Sequence, residues 1–357
     1  MKVLLTSDTV GGVWTYALEL SRGLHDLDVE VVLAAAGPPL TSDRQEEARN
    51  AGVRLFAREA ALEWMEDPWA DLAETREWLL DLAAFAGVDL VHLNEYAHVH
   101  APWDAPVVLV GHSCVLSWHE EVRGVPAPAE WNRYRDLVTG AVAQTDLLVA
   151  PTRWMLDQLE RLYDLARARL VIPNGREASG FTPLEKEPFV LTAGRIWDEG
   201  KNVAAVDRAA STLDWPVFAT GDAGTWRPRS LRLLGQLPAA ELARWFGRAS
   251  IFALPARYEP FGLSPLEAAL SGCALVLGDI PSLREVWGDA AVYVDPGDDD
   301  AIAAALERLV ADERLRHELA TAAFRRARTY TASRMAASYV AAYRHLLGAA
   351  RVVAEAS

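Results

Sequence analysis

Apolar and polar positions alternate along this chain in blocks. In the first half the runs KVLLTS, VEVVLAAA, VDLVHL, PVVLVG and DLLVAP are short, almost continuously apolar and closed by glycine, proline or polar residues. Such runs predict strands buried on both faces of a parallel sheet. Between them lie helical patterns such as VWTYALELSRGLHDL and DLAETREWLLDLAAFAG. Two stretches, 37–50 and 112–128, show no clear period and are read as loops long enough to carry function. The pattern breaks at RLVIPNGREASGFTPLEKEP, which is read as the end of a first domain and a linker. It then restarts with FVLTAG, PVFATG, RLLGQL, SIFALP, CALVL and AVYVDP, with helices in the gaps, one of them over Asp300–Val310, and a last helical pattern in the tail from TASRMAASYV onward. The pattern therefore predicts two α/β halves with a cleft between them.

Composition narrows the class. With 357 residues, half of them apolar, the chain can build two full cores. No apolar run reaches the roughly 18 residues of a membrane span. The start, MKVLLTSDTVGG, reads as a first strand and not as a signal peptide. Two distant cysteines, Cys114 and Cys273, fit a reducing cytoplasm and no disulfide framework. The net charge is −15, and residues 1–178 hold 15 Lys and Arg against 28 Asp and Glu, a net of −13. That balance argues against a nucleic acid partner.

The chemistry concentrates in RYEPFGLSPLEAALSG, from Arg257 to Gly272. Glu259 stands in a loop and Glu267 in a helix start, between two strand patterns, where an α/β protein holds a nucleotide. Free amides at a helix start also favour phosphate. Ser264-Pro265-Leu266-Glu267 equally reads as a capping box with Ser264 as N-cap, and the two roles are compatible. Upstream, FVLTAGRIWDEGKN carries Arg195 and, six residues on, Lys201. A planar fork and a mobile point charge together suit a diphosphate; taken alone they are also ordinary surface cations. Gly11-Gly12, after the first strand, would let a backbone approach a ligand.

The glutamate-x7-glutamate run and the Gly-Arg…Lys segment resemble the retaining glycosyltransferases of glycosyltransferase family four, of GT-B fold, and the likeness covers nearly the whole chain. It implies two Rossmann-like domains facing across a cleft. The first, over 1–178 with a C-terminal helix at about 335–357 crossing back to it, would bind the acceptor. The second, over 179–334, would bind a nucleotide-diphosphate sugar. The resemblance implies that Arg195 and Lys201 clamp the diphosphate, that Glu259 meets the donor sugar and that Glu267 binds the ribose. It adds Pro260, Phe261, Gly262, Leu263, Gly11 and Gly12 to the donor site, and a backbone turn around Gly235–Leu237 to the base. His112, at the end of PVVLVG, would lie against the donor sugar. Glu95 is the candidate acceptor contact.

The expected activity is transfer of a hexosyl unit, with retention, to a hydroxyl of a small acceptor, for which the acidic first half suggests a cation such as an amino sugar or aminocyclitol. No cofactor and no metal are expected, and the histidines of VHLNEYAHVH lack zinc spacing. Two other functions fit parts of the pattern: a sugar-nucleotide epimerase of the same fold, and a non-catalytic nucleotide-sugar-binding protein. A nicotinamide oxidoreductase is excluded, because SDTVGGVW lacks its glycine fingerprint. Two departures from the family pattern stand out: Arg176 in PNGRE, where many relatives have an apolar residue, and TGDAGT in place of a glycine-rich turn.

Overall fold

A computed structural model describes residues 1–163 and 168–356. The chain forms two compact units. The first comprises residues 1–120, 125–175 and the chain from Ala332 on; the second comprises 121–124 and 176–331.

The first unit is a seven-stranded, all-parallel sheet in the order β3-β2-β1-β4-β5-β6-β7. Its strands are β1 (Lys2–Asp8), β2 (Glu30–Gly37), β3 (Arg54–Glu59), β4 (Leu90–Leu93), β5 (Val107–Val110), β6 (Leu147–Ala150) and β7 (Arg169–Val171). Helices α1 (Gly12–His25), α2 (Ser42–Asn50), α3 (Trp69–Ala86), α4 (Val115–Trp118), α5 (Asn132–Gln144) and α6 (Arg153–Tyr163) connect them. The central strands are buried along their whole length, as their continuous apolar runs require.

The second unit is a six-stranded parallel sheet in the order β10-β9-β8-β11-β12-β13. Its strands are β8 (Glu187–Ala193), β9 (Val217–Thr220), β10 (Arg232–Gly235), β11 (Ala249–Leu254), β12 (Ala274–Gly278) and β13 (Val292–Val294). Its helices are α7 (Val203–Ala209), α8 (Ala239–Arg248), α9 (Leu263–Leu270), α10 (Pro281–Trp287), α11 (Asp299–Ala311) and α12 (Glu313–Ala327). The final helix, α13 (Ala332–Ala356), belongs to the first unit, where Met335, Ala336, Tyr339 and Tyr343 share a core with Trp14, Tyr16 and Leu20 of α1. Ser357, the last residue of the helix expected from the sequence, lies outside the described residues.

Four expectations are corrected. The stretch 112–128, read as a loop, contains α4. Arg169–Val171, read as linker, is the seventh strand, paired with β6. Arg54–Glu59, absent from the strand reading, is β3, paired with β2. Both are partly exposed edge strands carrying charges, so neither shows a continuous apolar run. The stretch 37–50, read as a loop, contains α2. Of its residues only Ala48 is buried, so it has no apolar stripe to betray it.

In each unit the strand order reverses once, between β1 and β4 in the first and between β8 and β11 in the second. Neighbouring connections diverge to opposite faces at such a point and leave a crevice at the carboxyl ends of the strands.

Candidate active site

In the second unit the chain leaves β8 through Gly194 and Arg195 and leaves β11 through Pro255 to Gly262, so both motifs open at the reversal point. Arg195 Nη2 lies 3.0 Å from Asp198 Oδ2, and its guanidinium sits 5.6 Å from the centroid of the Trp197 ring. Asp198 also accepts the Gly200 amide, which bends the chain into a short 3-10 turn over Glu199–Lys201. Asn202 ends that turn in left-handed backbone, at φ 56°. Its side-chain amide holds it there by donating to Pro255 O at 2.9 Å and Pro296 O at 2.8 Å.

This geometry delivers Lys201 to the glutamate loop. Lys201 Nζ is 2.7 Å from Glu259 Oε2, and both side chains are largely buried. The two loops are joined by backbone as well: Arg257 and Tyr258 donate their amides to Gly200 O. Glu259 O in turn accepts the Ser282 hydroxyl at the start of α10. Pro260 and Phe261 are buried, with Phe261 set edge-on to Tyr330 at 5.5 Å. Gly262 follows at φ 92°, where a Cβ would lie 3.1 Å from Pro265 Cγ. Leu263 then opens α9.

The capping box does not form. The N-cap of α9 is Gly262 and no side chain caps it, so Ser264 and Pro265 stand inside the first turn. Glu267 is two positions too far along the helix to reach back to the N-cap amide. Its Oε1 lies 3.0 Å from Nε of Arg176, whose guanidinium is 4.9 Å from the Phe181 ring centroid. Arg176 was visible in the sequence only as a departure from pattern; here it is the ionic partner of the helix glutamate. Gly235, in the turn expected at the base, uses its carbonyl to accept the Gly221 amide and the Thr220 hydroxyl.

The first unit brings a second group to its own reversal point. Thr6 of β1 donates its hydroxyl to Glu95 Oε2. Its hydroxyl oxygen accepts the Asn94 amide at 2.9 Å, and its carbonyl accepts Asn94 Nδ2 at 2.6 Å. Asn94 Oδ1 then meets His112 Nε2 at 2.8 Å. Glu95 is buried, and burial lifts its carboxyl to about 7. Glu63, whose Oε2 accepts the Ala97 amide, is lifted to about 8 for the same reason, with Glu95 adding to the rise. Burial lowers His112 to about 3, so its imidazole is neutral. Tyr16 of α1 packs edge-on to it at 4.5 Å between ring centroids. Gly11, at φ 79°, is the N-cap of α1, and Gly12 is its first residue, with no side chain capping the helix.

The histidines of VHLNEYAHVH diverge. His92 is buried between the hydroxyls of Tyr16 and Tyr343, His98 is buried, and His100 meets Gln144 Oε1 at 3.0 Å. Among the described residues no group of three His, Cys, Asp or Glu side chains is placed to hold a metal ion. Asn94, Asp198, Asn202 and Ser282 carried no site signal of their own. Each acts through hydrogen bonds fixed by tertiary structure, and only the proximity of Asp198 and Asn202 to Lys201 could have pointed to them.

Two family descriptions match the chain: Glycosyltransferase Family 4 over residues 10–179 and Glycosyl transferases group 1 over residues 228–326. The O-antigen chain mannosyltransferase B of Escherichia coli is 32% identical over 149 residues, 41% of this chain and 35% of that protein. The chain thus spans about a third of that relative. It matches the phosphatidyl-myo-inositol mannosyltransferase of Mycolicibacterium smegmatis at 26% identity over 96% of its own length and 92% of the relative's. Among solved structures, sucrose-phosphate synthase from Thermosynechococcus elongatus superposes with a TM-score of 0.82 at 18% identity, covering 98% of this chain and all of that one. Anabaena HepE, in complex with UDP-glucose, gives 0.79 at 14% identity over 97% of this chain and all of its own.

Proposed function

The chain belongs to the glycosyltransferases of group 1 and family four, with the GT-B fold of two Rossmann-like units, and on that premise we propose that it moves a hexosyl unit from a nucleotide-diphosphate sugar to a hydroxyl of a small soluble acceptor, with retention and without a divalent metal. The observation that carries this reading is the Lys201–Glu259 pair beside Arg195 at the reversal point of the second sheet. The loops that open there and the helix that follows carry three kinds of group a sugar nucleotide needs: cations for a diphosphate, a carboxylate for sugar hydroxyls, and Glu267 on α9 for a ribose.

In the proposed reaction the bond from the anomeric carbon to the diphosphate oxygen breaks, and the acceptor oxygen takes its place on the same face of the sugar. The acceptor proton passes to the departing phosphate oxygen. Arg195, Lys201 and the uncapped amides of α9 neutralise the charge that grows on the diphosphate, which is where electrostatic catalysis is largest. Two cations already present at the diphosphate make a metal bridge unnecessary. The second unit holds the donor in this reading and the first holds the acceptor. HepE is solved with UDP-glucose, so uridine sugars head the list of donors to try.

The test is a thermal-shift panel of UDP-, GDP-, ADP- and dTDP-sugars, in which the true donor stabilises by RT ln(1 + [L]/Kd). The selected donor is then followed by NMR with and without EDTA. We expect an α-linked product from an α-linked donor at an undiminished rate in chelator; inversion, or loss of activity restored only by magnesium or manganese, would overturn the mechanism. Lys201→Ala should lower kcat about a hundredfold, the usual loss for one donor to a developing charge. A folded Lys201→Ala enzyme with full turnover would remove the diphosphate assignment.

A further inference from the structure

We infer that Asn94 is a positioning residue that locks His112 in a single tautomer, with Nε2 protonated and Nδ1 offered as a hydrogen-bond acceptor to a substrate hydroxyl. The side-chain amide of Asn94 is not free to flip. One end of the Asn94 side chain lies 2.6 Å from the backbone carbonyl of Thr6. A carbonyl oxygen cannot donate, so that end is the NH2 group. The other end is therefore the oxygen, and it lies 2.8 Å from His112 Nε2. An oxygen that can only accept requires a proton on Nε2.

The Asn94 backbone is held as firmly as its side chain. Its amide donates to the Thr6 hydroxyl, and that hydroxyl's own proton goes to Glu95. The chain from Glu95 through Thr6 and Asn94 to His112 thus has one consistent set of donors and acceptors. Burial keeps the imidazole neutral across the physiological range, so the second ring nitrogen carries a lone pair. Among the described residues Nδ1 has no hydrogen-bond partner. Tyr16 from α1 packs edge-on to the ring and His92 from β4 interacts with it electrostatically; both are uncharged at neutral pH, because burial raises the phenol and lowers the imidazole.

The consequence is selectivity for what the ligand presents. A neutral acceptor welcomes a hydroxyl and rejects a carboxylate or an ether oxygen, because a lone pair facing a lone pair leaves both unsatisfied. The inference rests on the glycosyltransfer reading only for the hydroxyl's identity; the tautomer stands without it.

The first measurement therefore needs no substrate. In 15N-labelled protein, two-bond 15N–1H correlation should show His112 as the Nε2–H tautomer alone, unprotonated down to about pH 4. The Nδ1–H form, a mixture, or an imidazolium at neutral pH would overturn the inference. The second measurement uses the sugar nucleotide selected by the thermal-shift panel. Asparagine places its amide oxygen where Nδ1 stood, and glutamine places its terminal group where Nε2 stood. His112→Asn should keep about tenfold more kcat than His112→Gln, the worth of one hydrogen bond; the reverse order would overturn the assignment. Asn94→Leu should lower kcat about tenfold in the wild-type background and hardly at all in His112→Asn. An equal loss in both would make Asn94 a structural residue only. Should the Leu variant fail to fold, the wild-type tautomer and the Asn–Gln order still decide.

Discussion

At the scale of single residues the informative pair is Arg176 with Glu267. The sequence set Arg176 apart because relatives are apolar there, and set Glu267 apart as a ribose ligand or a cap. The structure rejects the cap and joins the two residues at 3.0 Å, both largely buried. Removing one member of a buried ion pair strands the other, which costs about 3 kcal/mol, whereas removing both together costs much less. Arg176→Leu should therefore lower stability by about that amount in urea unfolding, and Arg176→Leu with Glu267→Leu should recover most of it. Nucleoside diphosphate binding, read by calorimetry, should weaken in both, because the carboxylate is either unpositioned or gone. Full affinity in the double variant would show that Glu267 holds no ligand. The pair was hidden from sequence reasoning because its members lie far apart along the chain, and only the turn of α9 past Gly262 brings them together.

At the scale of elements, legibility followed burial. The inner strands of both sheets were readable because both faces are covered, which leaves runs such as SIFALP with no polar interruption; the half-exposed edge strands β10 and β13 were readable from apolar residues that happen to be continuous there. The edge strands β3 and β7 and the polar helix α2 face solvent, where composition is unconstrained, and they were missed. In the candidate site burial did not decide what was legible; membership of a motif did. Motif residues such as Lys201 and Glu259 were visible, whereas the carboxyl of Glu63, buried near the loop after β4, drew no notice. Glu63 and Glu95 are held at about 8 and about 7 in the folded unit, against an ordinary value of 4.5. A raised carboxyl keeps its proton when folded and loses it when unfolded. Its contribution is complete below about pH 4.5 and fades as pH climbs through 7 and 8, at about 1.4 kcal/mol per pH unit per group. Urea unfolding at pH 6 and pH 8.5 should show wild-type protein less stable at the higher pH. Glu63→Gln should flatten that difference; an unchanged slope would mean that Glu63 is ionised in the folded protein.

At the scale of the whole molecule the uneven charge bears on the acceptor. Residues 1–178 carry a net of −13 of the −15 total, and most of them lie in the unit assigned to the acceptor. The phosphatidyl-myo-inositol mannosyltransferase that this chain resembles is named for a phosphorylated lipid. An anion of that kind would be repelled by so acidic a surface, while a small cation would be concentrated by it. Among the described residues no helix is long and apolar enough to cross a membrane. Attraction of this kind is screened within about 8 Å at physiological salt, so it speeds encounter more than it tightens binding. An aminated sugar or aminocyclitol should therefore show a higher kcat/KM than its hydroxyl analogue at low salt. The advantage should shrink as sodium chloride rises, with kcat itself little changed. The control is a set of Asp and Glu to Asn and Gln changes on the exposed face of α2, remote in role from the site. If these carboxylates serve only solubility, neutralising them leaves the salt dependence intact. If they attract the acceptor, both the advantage and its salt dependence diminish together. A neutral or acidic acceptor preferred at every ionic strength would end the cationic proposal while leaving the donor chemistry of the second unit untouched.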